Sequence, residues 1–344
     1  TYLQTEKKIE QAHCLTSTHD DVNKLEYSPD MAVVIAFMMA QINAKTETQG
    51  YEFYQQYILQ KGLQIFGDRG LKAAKKEIGQ LYKRTCFTPI DINKMTPSEK
   101  QKAVEALLFL CEKRDETIKG RMVYNGKPTR KWLSRDEMAS PTVTLESMFL
   151  TAIIDTKEGR DVMSNDVPNA FIQAEIPPPE EGKDRIIMKI TGVLVDLLTE
   201  IASDVYFGHV VYEGKNKVIY VQVLRALYGM LKAALLWYKK FQKDLEEIGF
   251  RFNPYDPCVA NRMRNNRQHT IRFHVDDLMS SHEDPTVNDD FYEWLNAKYG
   301  EHGDVTQKRG KIHKYLGMDF DFTRPGEVIV DMTKYMKDMI DSFD

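Results

Sequence analysis

The chain has 344 residues, of which 42% are hydrophobic and 28% are charged, and its formal net charge at pH 7 is −4. This length and composition exclude a disordered or fibrous protein and allow two or three compact units with sizeable cores. The longest apolar run, Met31 to Ala40, is too short to cross a bilayer, and no signal-peptide pattern opens the chain, so no membrane partner is expected.

The cysteines show neither metal-ligand nor disulfide spacing. No CxxC pair occurs among Cys14, Cys86, Cys111 and Cys258, and the eight histidines are scattered. This usage is typical of reduced thiols in an intracellular protein rather than of a zinc site or a disulfide framework.

Charge is distributed unevenly along the chain. Residues 113–135 contain eight Lys or Arg against two Asp or Glu, a net charge of +6, whereas residues 276–344 contain 16 acidic residues against 8 basic ones, a net charge of −8. One region can therefore bind a phosphate backbone while the chain stays acidic overall. The alternative, that any single Lys or Arg belongs to a solvated face, stays open.

In chain order, residues 1–50 are predicted to form a polar linker or extension. Within it, Met31–Ile42 is apolar nearly all round, which indicates a buried helix or a helix that needs a partner. From Asp68 onward apolar residues recur at helical spacing. These residues are Leu71, Ala74, Ile78 and Leu81.

A capping box marks the start of the next helix, with Thr96 as N-cap, Pro97 at the first helical position and Glu99 reaching back. The helix that follows this capping box is predicted to include and bury four apolar residues. They are Val104, Leu107, Leu108 and Cys111.

A hairpin is predicted next, with Ile118–Tyr124 and Thr129–Leu133 as arms and Asn125-Gly126 in the turn. Its arms carry four basic side chains. They are Lys119, Arg121, Arg130 and Lys131.

Ser140-Pro141 is predicted to open a helix that runs to about Glu158 and leads into a strand bearing Asp166 and ending at Pro168. Strands and helices alternate after it. The predicted strands are Ile186–Ile190, Val218–Val223, Val259–Met263, Tyr315–Phe322 and Val328–Asp331; the predicted helices are Gly192–Ala202, Met230–Ile248, Val287–Tyr299 and a final piece from Thr333. This order favours an α+β fold with helices on one face of a sheet.

The stretch from Phe273 to Met279 is predicted to be a tight hairpin with an acidic turn, Asp276-Asp277, at its tip. Two close carboxylates repel each other unless a cation lies between them, and Mg²⁺ is the natural hard cation for oxygen ligands. Asp166 could supply a third carboxylate. The plainer interpretations, a wet turn for the Asp pair and a turn cap for Asp166, stay open.

Three phrases in fixed order carry a family resemblance: DVPNAF at 166–171, ALYGM at 226–230 and VDD at 275–277. They resemble motifs A, B and C of the reverse transcriptase of copia-type LTR retrotransposons. From about Tyr51 to the end, the chain is similar to the polymerase region of a copia-type Pol polyprotein. Other similar phrases are SPTVTLES at 140–147, NPYDPCVAN at 253–261 and KYLGMDFDF at 314–322.

The resemblance implies an α+β, right-hand polymerase fold with palm and fingers. We expect residues 51–160 to be fingers-like, 161–322 to be the palm with its catalytic motifs, and 323–344 to begin an incomplete thumb or connection. The thumb would then be truncated or partial, and the chain a fragment of a longer product.

The resemblance also implies site residues for two-metal nucleotidyl transfer. The catalytic residues would be Asp166, Asp276 and Asp277, and these, with the Val167 carbonyl, would hold two Mg²⁺ ions or, alternatively, Mn²⁺. The dNTP-binding residues would be Lys119, Arg121, Phe171 and Gly229, and the primer grip would include Tyr315, Leu316 and Gly317. Plainer roles stay open for some of them: a turn residue for Gly229, a core residue for Phe171 and an edge strand for the primer grip.

The implied partners are an RNA or DNA template with its primer, dNTPs, and RNase H and integrase domains that this chain does not include. The implied location is cytoplasmic, in virus-like particles, or nuclear. One departure from the family's usual wording is His274, where Tyr is common, which makes contacts with the primer end uncertain. Two other functions remain in competition: a non-catalytic nucleic-acid-binding relic of the same fold, and a two-metal nuclease of RNase H type.

Overall fold

A computed structural model describes residues 56–113, 115–301 and 303–341. The predicted extension at residues 1–50, with its apolar Met31–Ile42 segment and Cys14, lies outside them. Residues Gln56–Lys334 form one compact unit, and residues 335–341 belong to a separate one. Within the described ranges, no helix is both long enough and apolar enough to cross a bilayer.

The helices, in chain order, have the following bounds. They are α1 (Leu59–Lys83), α2 (Pro97–Lys102), α3 (Arg135–Met138), α4 (Leu145–Lys157), α5 (Ala170–Gln173), α6 (Val193–Ile201), α7 (Ser203–Tyr206), α8 (Ala233–Glu247), α9 (Pro285–Tyr299) and α10 (Thr333–Asp341). Short 3-10 turns occur at Ile92–Lys94, Lys127–Lys131 and Phe207–His209.

The strands fall into three sheets within the described residues. They are β1 (Tyr57–Ile58), β2 (Phe87–Pro89), β3 (Val104–Glu112), β4 (Ile118–Tyr124), β5 (Asp161–Asp166), β6 (Ile187–Thr191), β7 (Val211–Glu213), β8 (Asn216–Val223), β9 (Arg251–Phe252), β10 (Val259–Arg264), β11 (Arg267–His274), β12 (Asp277–His282), β13 (Thr306–Lys308), β14 (Ile312–Tyr315), β15 (Met318–Asp321) and β16 (Ile329–Asp331).

The first sheet has the order β1-β3-β6-β8-β2, with β4 paired to β3 and β7 paired to β8. The second sheet, called the site sheet below, has the order β13-β5-β12-β11-β10-β9. The third sheet has the order β14-β15-β16. Helix α1 packs on β3 and β4 through the predicted apolar stripe, in which Ala74, Ile78 and Leu81 are buried. The mixture of helices with mainly antiparallel sheets confirms the α+β class.

The helix predicted to bury Val104 and Leu108 is wrong. The capping box at Thr96 is present, but its helix α2 ends at Lys102, and residues 104–112 form strand β3. Both residues are still buried, together with Ala106 and Leu110, at alternate positions of the strand. A short apolar run fits a buried strand as well as a buried helix, so spacing alone could not separate them.

The hairpin predicted to pair Ile118–Tyr124 with Thr129–Leu133 is also wrong. Strand β4 instead pairs backward with β3, from Ala106 opposite Tyr124 to Glu112 opposite Ile118. The second predicted arm begins within a 3-10 turn at Lys127–Lys131, where Pro128 has no N–H for a strand ladder.

Helix α4 begins later than predicted. Its N-cap is Thr144, whose hydroxyl accepts a hydrogen bond from the Ser147 N–H at 3.2 Å, and not Ser140. The Thr144 N–H and hydroxyl both donate to Asp256, which fixes this helix start against the loop before β10. Among the other predictions, the strands at 187–191, 216–223 and 259–264 and the helices at 193–201, 233–247 and 285–299 are confirmed.

An aromatic core holds the site sheet against helices α8 and α9. Trp237 stacks on Phe241 with ring centroids 5.3 Å apart, and it meets Tyr299 edge-on at the same distance. Phe241 in turn meets Phe273 of β11 edge-on at 5.0 Å. Packed aromatic pairs of this kind add to area burial, so the strand leading to Asp276 rests on a rigid base.

Candidate active site

Three carboxylates meet at one end of the site sheet. Asp166 is the last residue of β5, as predicted, and lies directly opposite Asp277, the first residue of β12. Asp276 stands next to Asp277 in the turn that joins β11 to β12. The antiparallel pairing of β5 with β12 therefore brings together residues that are about a hundred positions apart in sequence.

The turn itself differs from the prediction by one residue. His274 pairs with Asp277 across the hairpin, so the two turn residues are Val275 and Asp276 rather than Asp276 and Asp277. Val275 has a φ of 57°, a left-handed conformation that costs an L residue about 1–2 kcal/mol and is a clear outlier for a β-branched side chain.

Both carbonyls of this turn are hydrogen-bonded to other parts of the chain. The Trp237 indole N–H of α8 donates to the Val275 carbonyl at 2.6 Å. The Val167 N–H, directly after Asp166, donates to the Asp276 carbonyl at 3.1 Å. The turn is thus tied to the end of β5 on one side and to helix α8 on the other.

Burial and, after it, repulsion by neighbouring carboxylates raise the pKa values of Asp277 and Asp166. Burial, followed by the charges of Asp276 and Asp166, raises the pKa of Asp277 to about 6. Burial and Asp276 also raise the pKa of Asp166, and the Lys119 ammonium acts in the opposite direction. Close like charges that raise each other's pKa values favour a bound cation.

The donor set fits Mg²⁺ only if a substrate completes it. In the described part of the chain, no three His, Cys, Asp or Glu side chains are arranged to hold one metal ion. Mg²⁺ in phosphoryl-transfer sites commonly takes one or two carboxylates, with the remaining oxygens coming from substrate phosphates and water. Asp166 and Asp276 match that requirement in donor chemistry.

Opposite the carboxylates lies a layer built around Tyr228. The Arg121 guanidinium of β4 stands 4.3 Å from the centre of the Tyr228 ring, and the Phe171 ring lies 5.0 Å from it at 60°. Burial raises the pKa of Tyr228; Arg121 acts in the opposite direction, and the charges of Asp276 and Asp166 add to the rise. The structure thus sets Arg121 and Phe171 against Tyr228, and the charge of Lys119 acts on Asp166.

Sequence reasoning missed Tyr228 and Trp237 as parts of this site. Tyr228 stands in the ALYGM phrase next to the chosen Gly229, and the available signal was an aromatic residue within a family phrase. Trp237 carried no signal, because its spacing matches an ordinary buried helix face and its hydrogen bond crosses 38 positions.

Gly229 has a packing reason to be glycine. Its φ is 83°, and a Cβ there would overlap the Tyr124 carbonyl oxygen and a Val123 methyl group. The Tyr124 N–H also donates to the Tyr228 carbonyl at 2.8 Å, so this segment lies along the end of β4. Close approach of protein backbone therefore requires glycine here, whatever else approaches its exposed side.

The predicted primer-grip residues form the turn between β14 and β15. Tyr315 pairs with Met318, and Leu316 and Gly317 have φ values of 51° and 82°, the pattern of a type I′ hairpin turn. Tyr315 is buried, and its hydroxyl has no hydrogen-bond partner among the described residues. Burial raises the pKa of Tyr315; Arg272 acts in the opposite direction, and the Asp277 charge adds to the rise.

His274 lies half-buried at the end of β11. Burial lowers its pKa, which Asp276 partly offsets. Its Nδ1 has no hydrogen-bond partner among the described residues.

Comparison with known proteins gives a family match over residues 96–344, to reverse transcriptase (RNA-dependent DNA polymerase). The Retrovirus-related Pol polyprotein from transposon RE1 of Arabidopsis thaliana is 25% identical over 203 residues, which are 58% of this chain and 12% of that protein. The corresponding polyprotein from transposon TNT 1-94 of Nicotiana tabacum is 24% identical over 210 residues, 61% of this chain and 14% of that protein. The chain thus spans about an eighth of the length of these relatives.

Among solved structures, a foamy viral protease-reverse transcriptase in complex with double-stranded DNA aligns with a TM-score of 0.43 and 16% sequence identity. The alignment covers 92% of this chain and 47% of that one.

Proposed function

The chain belongs to the reverse transcriptase (RNA-dependent DNA polymerase) family, and from that premise we propose that it extends a primer on an RNA or DNA template by nucleotidyl transfer at the Asp166, Asp276 and Asp277 end of the site sheet. The observation that carries the proposal is the direct pairing of Asp166 with Asp277. It sets three acidic residues from two distant segments opposite the basic strand β4.

The proposed reaction joins the primer 3′-hydroxyl to the α-phosphorus of a dNTP and releases pyrophosphate. Two Mg²⁺ ions, or Mn²⁺, would supply the charge that acidifies the hydroxyl and stabilises the leaving group. Asp166 and Asp276 would be the principal ligands, with the Val167 carbonyl as a further oxygen. Asp277, whose pKa is raised to about 6, would act mainly through its charge.

The basic side chains of β4 suit the triphosphate. Lys119 and Arg121 are separated by one residue and lie on the same face of the strand; Lys119 acts to lower the pKa of Asp166, and Arg121 that of Tyr228. The Arg121 guanidinium lies against the Tyr228 ring, so part of its conformational freedom is already lost before a phosphate binds. A guanidinium can then bind phosphate oxygens in a bidentate manner without reading the base.

The remaining assignments rest on the resemblance to the family. Phe171 would lie under the sugar of the incoming nucleotide, Gly229 beside it, and the Tyr315, Leu316 and Gly317 turn against the primer. Residues 51–160 would serve as fingers, residues 161–322 as the palm, and residues 323–344 as the start of a connection.

Primer extension by the full chain tests the proposal. With Mg²⁺, a primed RNA template and all four dNTPs, the wild-type chain should extend the primer, and Asp166→Asn should abolish extension while keeping the melting temperature. Asp161→Asn is the matched control, because Asp161 stands at the other end of the same strand β5 and pairs with Arg309 at 2.5 Å. It should lower the melting temperature and leave the rate per folded molecule unchanged.

Two outcomes would overturn the proposal. A wild-type chain that binds the primed template without extending it, with either Mg²⁺ or Mn²⁺, would be a non-catalytic relic of the fold. Cleavage of the RNA strand of an RNA–DNA hybrid, lost in Asp166→Asn, would indicate an RNase H type nuclease.

A further inference from the structure

The indole of Trp237 is placed unusually for a core side chain. Trp237 is 1% exposed and lies between Phe241 and Tyr299. A buried N–H without an acceptor is costly, yet these neighbours offer it only ring faces and edges. The indole N–H instead crosses from α8 to the Val275 carbonyl, at 2.6 Å.

The acceptor, Val275, has a backbone conformation that valine does not favour. Val275 has a φ of 57°, and a β-branched residue there tends to return to the extended region. Such a rotation would swing the Val275 carbonyl away and carry the next residue, Asp276, with it. Strain of this kind persists only where surrounding contacts hold it.

Two hydrogen bonds from other segments hold the backbone of this turn. The Val167 N–H fixes the Asp276 carbonyl, and the Trp237 N–H fixes the Val275 carbonyl. The first comes from the strand that carries Asp166, so it moves with the site. The second comes from helix α8, which packs in the aromatic core, and it therefore fixes the backbone of the turn to this helix, while the Val275 side chain packs against the core.

We propose that Trp237 is a positioning residue: its indole N–H holds the strained Val275-Asp276 turn in the conformation that presents the Asp276 carboxylate beside Asp166. It acts through the turn and touches neither substrate nor metal. The inference rests on the proposed function only in assigning Asp276 to the reaction; the statement about the turn stands without it.

A purely structural role for Trp237 makes a different prediction. Trp237→Phe keeps an aromatic ring between Phe241 and Tyr299 and removes the N–H. If the ring alone mattered, this variant would keep the turn and the rate. If the hydrogen bond only added stability, its loss would resemble the loss of any buried bond in the same helix.

Tyr238→Phe is the matched control for such a loss. The Tyr238 hydroxyl, at the next position of α8, donates to the Pro257 carbonyl at 3.1 Å, well away from the turn. Both variants remove one side-chain donor from one backbone carbonyl and keep a phenyl ring.

The experiment uses the full chain and two measurements. In single-turnover primer extension with Mg²⁺, Trp237→Phe should lower kcat by about tenfold with little change in KM for dNTP, because a misplaced ligand affects the transition state more than nucleotide binding. Tyr238→Phe should remain within about twofold of wild type.

The second measurement is amide hydrogen exchange without nucleotide or metal. Trp237→Phe should speed exchange of the Val167 amide, which is bonded to the turn, by about tenfold more than it speeds exchange in β10. Tyr238→Phe should show no such local effect.

A rescue makes the proposal specific to backbone strain. Asn adopts the left-handed conformation readily, so in a Val275→Asn background the turn needs the indole N–H less. There Trp237→Phe should lower kcat by less than about twofold relative to Val275→Asn alone. An equal loss in both backgrounds, an unchanged Val167 amide, or an effect of Tyr238→Phe equal to that of Trp237→Phe would overturn the inference. If the wild-type chain extends no primer, the proposed function fails, and the exchange measurement still decides the role of Trp237.

Discussion

A two-residue turn lies at each end of strand β11, and the two turns are held in different ways. At its start, Arg264 pairs with Arg267 across Asn265-Asn266, and these two asparagines have φ values of 50° and 58°. At its end, His274 pairs with Asp277 across Val275-Asp276, and a valine takes a φ of 57°. Both are two-residue hairpin turns; both residues of the first have a positive φ, whereas in the second Val275 has one and Asp276 does not.

The difference lies in what holds each turn. Asparagine visits the left-handed region at low cost, so the Asn265-Asn266 turn follows local sequence preference and is exposed to solvent. The Val275 turn contradicts local preference and is held by hydrogen bonds from Trp237 and Val167. The turn that breaks the local rule and is compensated from elsewhere thus lies at the end of β11 where we propose that the chemistry takes place.

The largest expected effect on primer extension comes from removing the carboxylate of the Val275-Asp276 turn. Asp276→Asn should lower kcat for primer extension by at least about 100-fold, because a metal ligand and its transition-state stabilisation are lost. The converse change, Asn266→Asp, should alter kcat by less than about twofold. Single-turnover extension by both variants measures the contrast. Comparable losses at the two turns would remove the functional distinction between them.

Selection of deoxyribonucleotides over ribonucleotides should depend on Phe171 and not on Phe252. Phe171→Val, beside Tyr228, should raise ribonucleotide incorporation relative to deoxyribonucleotide by about tenfold or more, because in the proposed function the phenyl ring would lie under the sugar and leave no room for a 2′-hydroxyl. Phe252→Val is the control, since Phe252 is also half-buried and has one aromatic partner, Phe273 at 6.3 Å. It should lower only the melting temperature.

The outcome that contradicts this role is equally clear. If Phe171 only fills the core, its replacement should cost roughly 3–5 kcal/mol of stability and reduce the use of both nucleotide types together. Kinetic efficiencies and melting temperature measured on one preparation separate the two cases.

Much of the site could be predicted from the sequence because its signals are local. Pro168 after Asp166 marks the end of a strand, and the apolar arms around Asp276 mark a hairpin. The order of the three phrases then indicates which distant carboxylates meet. The one-residue error in the turn has the same origin: local preference places valine in a strand and aspartate in a turn, and tertiary contacts override that preference.

The failures occur where the decisive partner is far away in the chain. Residues 104–112 form a strand because β4 and β6 lie beside them, and nothing within the apolar run itself requires that. The role of Trp237 depends on a carbonyl 38 positions later. The packing requirement at Gly229 comes from Tyr124, on a strand whose pairing was itself predicted wrongly.

A smaller effect is expected from placing valine in the other turn. Asn266→Val would require a β-branched residue at a φ of 58° in a turn that is tied to its surroundings through the Asn265 side chain and Asp284, and should lower the free energy of unfolding by about 1–2 kcal/mol. Primer extension per folded molecule should be unchanged. Chemical denaturation measures the first quantity. A stability equal to wild type would mean that valine is tolerated in such a turn without bonds like those from Trp237 and Val167, and the anchors at Val275 would lose their significance.

The two ends should finally differ in the sign of their pH dependence. Asp277 has a folded-state pKa of about 6, above the value of about 3.9 for an unfolded chain. Between these pH values the folded state binds more protons, so stability falls as pH rises from about 4 to about 6. At the other end, hydrogen bonds from Thr286 lower the pKa of Asp284, whose carboxylate also accepts a bond from Asn265, so Asp284 stabilises the folded state at neutral pH and loses that effect as the pH falls below its unfolded value.

Neutral substitutions should therefore act in opposite directions. Asp277→Asn should raise the free energy of unfolding above pH 6 by on the order of 1 kcal/mol, less than the full pKa shift implies because the side chain is partly exposed to solvent, and should match wild type below about pH 4. Asp284→Asn should lower stability at pH 7 and approach wild type at acid pH. Thermal unfolding from pH 3 to pH 8 without divalent cations measures both. If Asp277→Asn were destabilising at pH 7, the carboxylates would not be repelling each other, and this end of β11 would lack the electrostatic strain that a bound cation relieves.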